Sequence, residues 1–257
     1  MIIRVPGVNG LGKTKGTRDV GRDVVKALGD LREKLKFEES HVNNDDLEEQ
    51  ERLIYKNSKS VFDSGERAIF IGGDHSISYP IVRAFLESWH ENTKLIVFDA
   101  HPDLMPAMRE PTHEEWLRAL IEKKYIGVEN VLIVGVRATD KEEDKFILNN
   151  KINAITSGSV EINVDKVIDR IGRFLGKKDF YVSFDVDVFD NSIVKATGYA
   201  EGGGLTRKSV FKILEFLRAK GDNWRAMDLV EINADFNRSD YNDTVNIGAD
   251  VLRKFIN

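Results

Sequence analysis

The chain of 257 residues is 41% hydrophobic and 32% charged, which suits one large α/β domain spanning 1–257 with a buried core and a well-solvated surface. A net charge of -5 gives a nucleic-acid polyanion nothing to hold, and no apolar run is long enough to span a membrane. The absence of cysteine excludes disulfides and thiolate zinc sites; with no signal-peptide pattern at Met1-Ile2-Ile3-Arg4, it predicts a cytoplasmic protein.

The first predicted strand is Ile2–Val5, followed by a helical pattern over Arg18–Leu35. A short extra strand is expected near Ser40–Asn43, and the acidic, Asn-rich stretch from Glu38 to Glu51 reads as a surface loop in its middle. A helix over Leu47–Phe62 leads to a strand at Ala68–Ile71, and a helix over Ile77–Trp89 to a strand at Lys94–Phe98. Next come a helix over Glu114–Lys124, a strand at Val131–Val136, a helix over Lys141–Asn149 and a strand at Ile152–Ile155. The last third reads helix Val160–Leu175, strand Asp179–Phe184, helix Lys208–Lys220, strand Arg225–Ile232 and helix Tyr241–Phe255. This alternation predicts a mostly parallel sheet of about eight strands with helices on both faces, a three-layer α/β/α architecture.

Three of these strands end in metal-type ligands. Ala68–Ile71 runs into Gly72-Gly73-Asp74-His75-Ser76, Lys94–Phe98 into Asp99-Ala100-His101-Pro102-Asp103, and the Asp179 strand into Ser183-Phe184-Asp185-Val186-Asp187. Residues two apart on a strand share a face, so Asp99, His101 and Asp103 converge, as do Asp185 and Asp187. Gathering four carboxylates is costly without cations, and four Asp with two His suit two divalent ions. Ligands of parallel sheets bind beyond the carboxyl ends of the strands, where all three segments lie. His113 is a candidate acid/base group, Glu231 a candidate carboxylate for a guanidinium fork, and Asp74 a residue supporting the ligands from behind.

Together these segments resemble the ureohydrolase family of arginases, agmatinases and formiminoglutamases, whose motifs GGDHS, DAHxD and SxDxD stand here in order. Leu229-Val230-Glu231-Ile232-Asn233 and Gly203-Gly204-Leu205-Thr206 resemble two further family motifs. The likeness runs from about Ile2 to the C-terminus and is loose over the first sixty residues. It implies an arginase-like fold and two Mn2+ per chain, one held by His75, Asp99, Asp103 and Asp185, the other by His101, Asp99, Asp185 and Asp187. It further implies hydrolysis of a C–N bond in a linear amidine, with Asp187 orienting the water-derived nucleophile or taking its proton, Glu231 positioning the guanidinium and His113 assisting proton transfer to the leaving amine. The expected partner is a small cationic guanidino substrate, and the expected assembly a homo-oligomer, trimer or hexamer.

Three segments depart from the family pattern. Leu104-Met105-Pro106-Ala107-Met108 is apolar where arginases carry a polar grip for the amino acid head, which favours agmatine over arginine and formiminoglutamate. The loop from Asp190 to Gly202 lacks the family's prolines, and His113 is followed by Glu114 rather than Gly. The alternatives are a non-catalytic guanidino-binding protein and a single-zinc deacetylase on a related fold.

Overall fold

The computed structural model describes residues 1–10, 12–89, 93–236 and 239–256. Its eight strands are β1 (Ile2–Arg4), β2 (Phe37–Glu39), β3 (Ala68–Ile71), β4 (Lys94–Phe98), β5 (Val131–Val136), β6 (Asn153–Thr156), β7 (Phe180–Asp185) and β8 (Trp224–Val230). They form one sheet in the order β2-β1-β3-β8-β7-β4-β5-β6, and every neighbouring pair is parallel.

Side-chain alternation along the strands supplies two cores. Ile69, Ile71, Ile96, Phe98, Val182 and Phe184 face one side, where α1 (Gly21–Ala27), α7 (Val164–Leu175), α8 (Arg207–Arg218) and α9 (Tyr241–Ile256) cover them. Phe70, Leu95, Val97 and Tyr181 face the other side, under α2 (Leu47–Asp63), α3 (Ser78–Trp89) and α4 (Trp116–Glu122). Two further helices, α5 (Lys141–Asn150) and α6 (Ser157–Ile162), flank β6. The result is the expected three-layer α/β/α arrangement.

Several element boundaries differ from the sequence reading. The stretch Arg18–Leu35 is not one helix: Gly29, at φ +62°, ends α1, and 3-10 turns follow over Gly29–Lys34. Val160–Leu175 is split at Asn163, whose side chain accepts from the Lys166 amide and restarts the chain as α7. The extra strand lies at Phe37–Glu39, paired with Ile2–Arg4, and not at Ser40–Asn43. The strand predicted to reach Ile232 stops at Val230, because Glu231 takes the left-handed conformation at φ +67°. The helix predicted from Glu114 begins at Trp116, since the Glu115 carboxylate turns back to accept the Thr112 amide at 2.8 Å and its hydroxyl at 2.5 Å.

Candidate metal centre

The four strands β3, β8, β7 and β4 are adjacent at the middle of the sheet, so their carboxyl ends share one edge. Register then fixes the pairs. Phe98 lies beside Phe184, which puts Asp99 and Asp185, each one residue further on, next to one another. Asp185 pairs with Val230, which brings in Glu231. His75 enters from the turn after β3, where Gly72 and Gly73 have φ +93° and +80°. A Cβ on Gly73 would lie 2.4 Å from the Gly7 carbonyl, so only glycine lets the turn approach the segment after β1 this closely.

His75 Nδ1 lies 3.0 Å from Asp99 Oδ2, 2.9 Å from Asp103 Oδ2 and 3.4 Å from Asp185 Oδ2. His101 Nδ1 lies 3.0 Å from Asp187 Oδ2 and 3.5 Å from Asp99 Oδ1. Two ligand groups follow, His75–Asp99–Asp103 and Asp99–His101–Asp187, with Asp99 common to both. All six predicted ligands are thus brought together. Yet His75 Nδ1 and Asp99 Oδ2, both buried, have no hydrogen-bond partner. Donor atoms that crowd together without hydrogen-bonding geometry fit a cation between them, and an oxygen-rich set with imidazole fits manganese chemistry.

The surrounding groups hold this arrangement. His75 Nε2 meets Ser183 Oγ at 2.9 Å, and that hydroxyl donates to Asp228 Oδ1 at 2.7 Å. Asp228 also accepts from Tyr181 and Ser78 at 2.8 and 3.0 Å. The chain of bonds assigns the His75 proton to Nε2 and leaves Nδ1 to face the carboxylates. Trp116 Nε1 donates to Asp103 Oδ2 at 2.6 Å, and its ring lies 4.8 Å from the His75 imidazole. Backbone amides of His101, Ala100 and Asp187 donate to Asp99, Asp187 and Asp185 at 2.7, 3.0 and 2.7 Å. Asp74 supports the turn, accepting from the Asn9 amide at 2.9 Å and from Thr14 Oγ1 at 2.8 Å. Arg137 donates to the carbonyls of Asp187, Phe189, Glu201 and Gly202 at 2.6 to 3.2 Å and clamps both ends of the proline-free loop.

The electrostatics are those of a site built for positive charge. Burial pulls the His75 imidazole down, but Asp103, Asp185 and Asp99 outweigh it and hold it well above its usual range. His101 is likewise raised, burial being overcome by Asp187 and Asp99. Burial and the Asp99 charge push the Asp103 carboxyl up to about 7. Asp185, Asp187 and Glu231 are raised by burial and by neighbouring carboxylates. Asp99 is held low, since His101 and His75 overcome its burial.

A cleft of about 270 Å³ opens over these residues, lined also by Met105, His113, Glu114, Asp140, Glu143 and Tyr199. Glu231 Oε1 accepts the His75 amide at 2.8 Å, while Oε2 is buried and unpartnered. His113 is 5% exposed, both its ring nitrogens lack hydrogen-bond partners, and its ring lies 5.4 Å from that of Tyr199. Ser183, Asp228, Trp116, Tyr199 and Arg137 were not singled out by sequence reasoning. Ser183 lies inside a motif and Asp228 three residues before Glu231, signals that spacing alone could not separate from ordinary strand residues.

Among known proteins, the chain is 30% identical over 191 residues to an agmatinase of Chromobacterium violaceum, covering 73% of this chain and 56% of that protein. The chain thus spans little more than half the length of that relative. Formimidoylglutamase from Bacillus subtilis superposes with a TM-score of 0.88 at 19% identity, over 99% of this chain and 85% of the other. Arginase from Bacillus cereus superposes at 0.85 and 21% identity, over 100% and 98%. These two likenesses carry the fold. A sequence profile of the Arginase family matches residues 10–257, and the chain belongs to that family.

Proposed function

We propose that the protein hydrolyses a C–N bond of a linear guanidino compound to urea and an amine, with two Mn2+ per chain. The observation that carries this reading is that His75 Nδ1 and Asp99 Oδ2, buried and without hydrogen-bond partners, lie 3.0 Å apart, and that His75 lines the same cleft as Glu231, whose Oε2 is also unpartnered. When bound, the ions supply Lewis acidity and a water nucleophile at neutral pH. His75, Asp99, Asp103 and Asp185 would hold one ion, and His101, Asp99, Asp185 and Asp187 the other. The free Glu231 oxygen accepts from the guanidinium and fixes the carbon to be attacked. Asp187 orients the attacking water, and His113 delivers a proton to the departing amine nitrogen.

Agmatine is the proposed substrate. Among the described residues, those lining the cleft include no Lys or Arg to pair with an amino acid carboxylate, whereas Glu114, Asp140 and Glu143 favour a second cation. The same reading extends to a cytoplasmic role in polyamine metabolism and to a homo-oligomer, trimer or hexamer. The test is a screen of the manganese-loaded protein for urea release from agmatine, arginine and 4-guanidinobutyrate, with formiminoglutamate consumption followed in parallel. Agmatine should be turned over fastest. Binding of guanidino compounds without urea release would favour a non-catalytic role.

A further inference from the structure

The mouth of the cleft is distinguished by one carboxylate that the fold leaves unspent. Glu143 uses both oxygens, accepting the Leu104 amide at 2.9 Å and the Asp140 amide at 2.9 Å. Asp140 accepts the Glu142 amide at the start of α5. Glu114 also lines the cleft, yet among the described residues its carboxylate accepts no hydrogen bond, and its one charged contact is His113 Nε2 at 3.5 Å. Its side chain is 39% exposed, so it is reachable by a ligand.

The loop presenting it is fixed. Glu115 folds back on Thr112, and the Asn9 side chain donates to the carbonyls of Glu110 and Pro111, each at 3.1 Å. Binding then has only the Glu114 side chain to order, and not the loop that carries it. Tyr199 forms the neighbouring wall, its ring 5.4 Å from His113 and 6.0 Å from His101. Lys13 packs on the Tyr199 ring but does not line the cleft.

We propose that Glu114 is a specificity-determining residue: it pairs with a cationic group at the far end of the substrate while the guanidinium occupies the Glu231 end. This deepens the guanidino-hydrolase reading and rests on it. The ligand class is an alkyl guanidine ending in an ammonium group, and the same carboxylate repels one ending in a carboxylate.

Kinetics on the manganese-loaded chain with agmatine, 1-guanidinobutane and 4-guanidinobutyrate test it. In Glu114→Gln, the ratio of kcat/KM for agmatine to that for 1-guanidinobutane should fall by up to about fivefold, the scale of a partly exposed ion pair. The change should lie in KM. Glu114→Lys should lower the ratio further and raise 4-guanidinobutyrate relative to 1-guanidinobutane. Calorimetric titration of agmatine into the loaded protein should show the matching loss of affinity without reference to turnover. If both variants leave the agmatine ratio where it was, or lower all three substrates alike, Glu114 does not read the distal charge. If the unaltered chain releases urea from none of the three, the guanidino reading itself fails, and this assignment with it.

Discussion

Asp99 is the side chain on which both ligand groups depend, because it lies within reach of His75 on one side and of His101 on the other. Its removal takes a carboxylate from both positions at once, whereas removal of Asp103 takes one from the His75 group alone. Elemental analysis of manganese-loaded, folded protein should therefore find both ions lost in Asp99→Ala and one retained in Asp103→Ala. Equal losses in the two variants would contradict a shared ligand. Glu231 makes a different prediction. Its left-handed backbone, a strained conformation for a side chain of this size, turns the carboxylate into the cleft, and one oxygen is left free there. Glu231→Gln keeps the shape and removes the charge. Metal content should stay near normal while urea release falls by about a hundredfold, the scale of a substrate misplaced by about 1 Å. Wild-type turnover in that variant would reduce Glu231 to a structural bond with the His75 amide.

Apart from Asp185, the last residue of β7, each ligand lies just beyond the end of a strand, so the turns there govern the site more than the helices do. The turn after β3 is tight. Gly73→Ala would force a Cβ to within 2.4 Å of the Gly7 carbonyl at φ +80°. The cost should be about 3 kcal/mol, read as a lower denaturant midpoint in the metal-free protein, since strain at such a position is worth roughly 1–3 kcal/mol before the clash is added. An unchanged midpoint would mean that the turn relaxes freely. The loop after β7 solves its problem differently. It lacks prolines, and Arg137 bonds carbonyls at both ends, while Asp190 accepts the Gly204 amide at 3.0 Å. The side chains of Arg137 and Asp190 thus do what ring constraints do elsewhere.

Across the whole molecule, the site couples protons to metal. In the metal-free chain, Asp103, Asp185, Asp187 and Glu231 hold their protons more tightly folded than unfolded, and so do His75 and His101. A raised folded value gives stability that is present in full at acid pH and lost as pH rises through that value, which for Asp103 is about 7. Asp99 has the opposite sign, but its transition falls below the ordinary carboxylate range. Metal takes the place of these protons. The gain in Tm on adding Mn2+ should therefore grow between about pH 5.5 and about pH 8, and loading should release protons measurable in weakly buffered solution. A gain that shrinks over that range, or loading without proton release, would contradict the coupling.

The sequence by itself determined the layered α/β fold and the three strand-end motifs. Strand periodicity and turn glycines are local properties, and local properties survive in a linear reading. Strand alternation is not what gathers the ligands, since β4 ends at Phe98, Asp103 is left-handed at φ +53° and Asp187 lies in a 3-10 turn. It misjudged elements where one residue's conformation overrides a pattern, as at Gly29, Asn163 and Glu231. Only the tertiary structure decided that β3, β8, β7 and β4 are neighbours, and hence that His75, Asp99, Asp185 and Glu231, separated by up to 156 positions, meet on one edge. It alone assigned Ser183 and Asp228 to the back of His75, Arg137 to the loop and Glu114 to the mouth of the cleft. Strand order and long-range hydrogen bonds are set by the packing of the whole core, and no spacing within one segment of the chain encodes them.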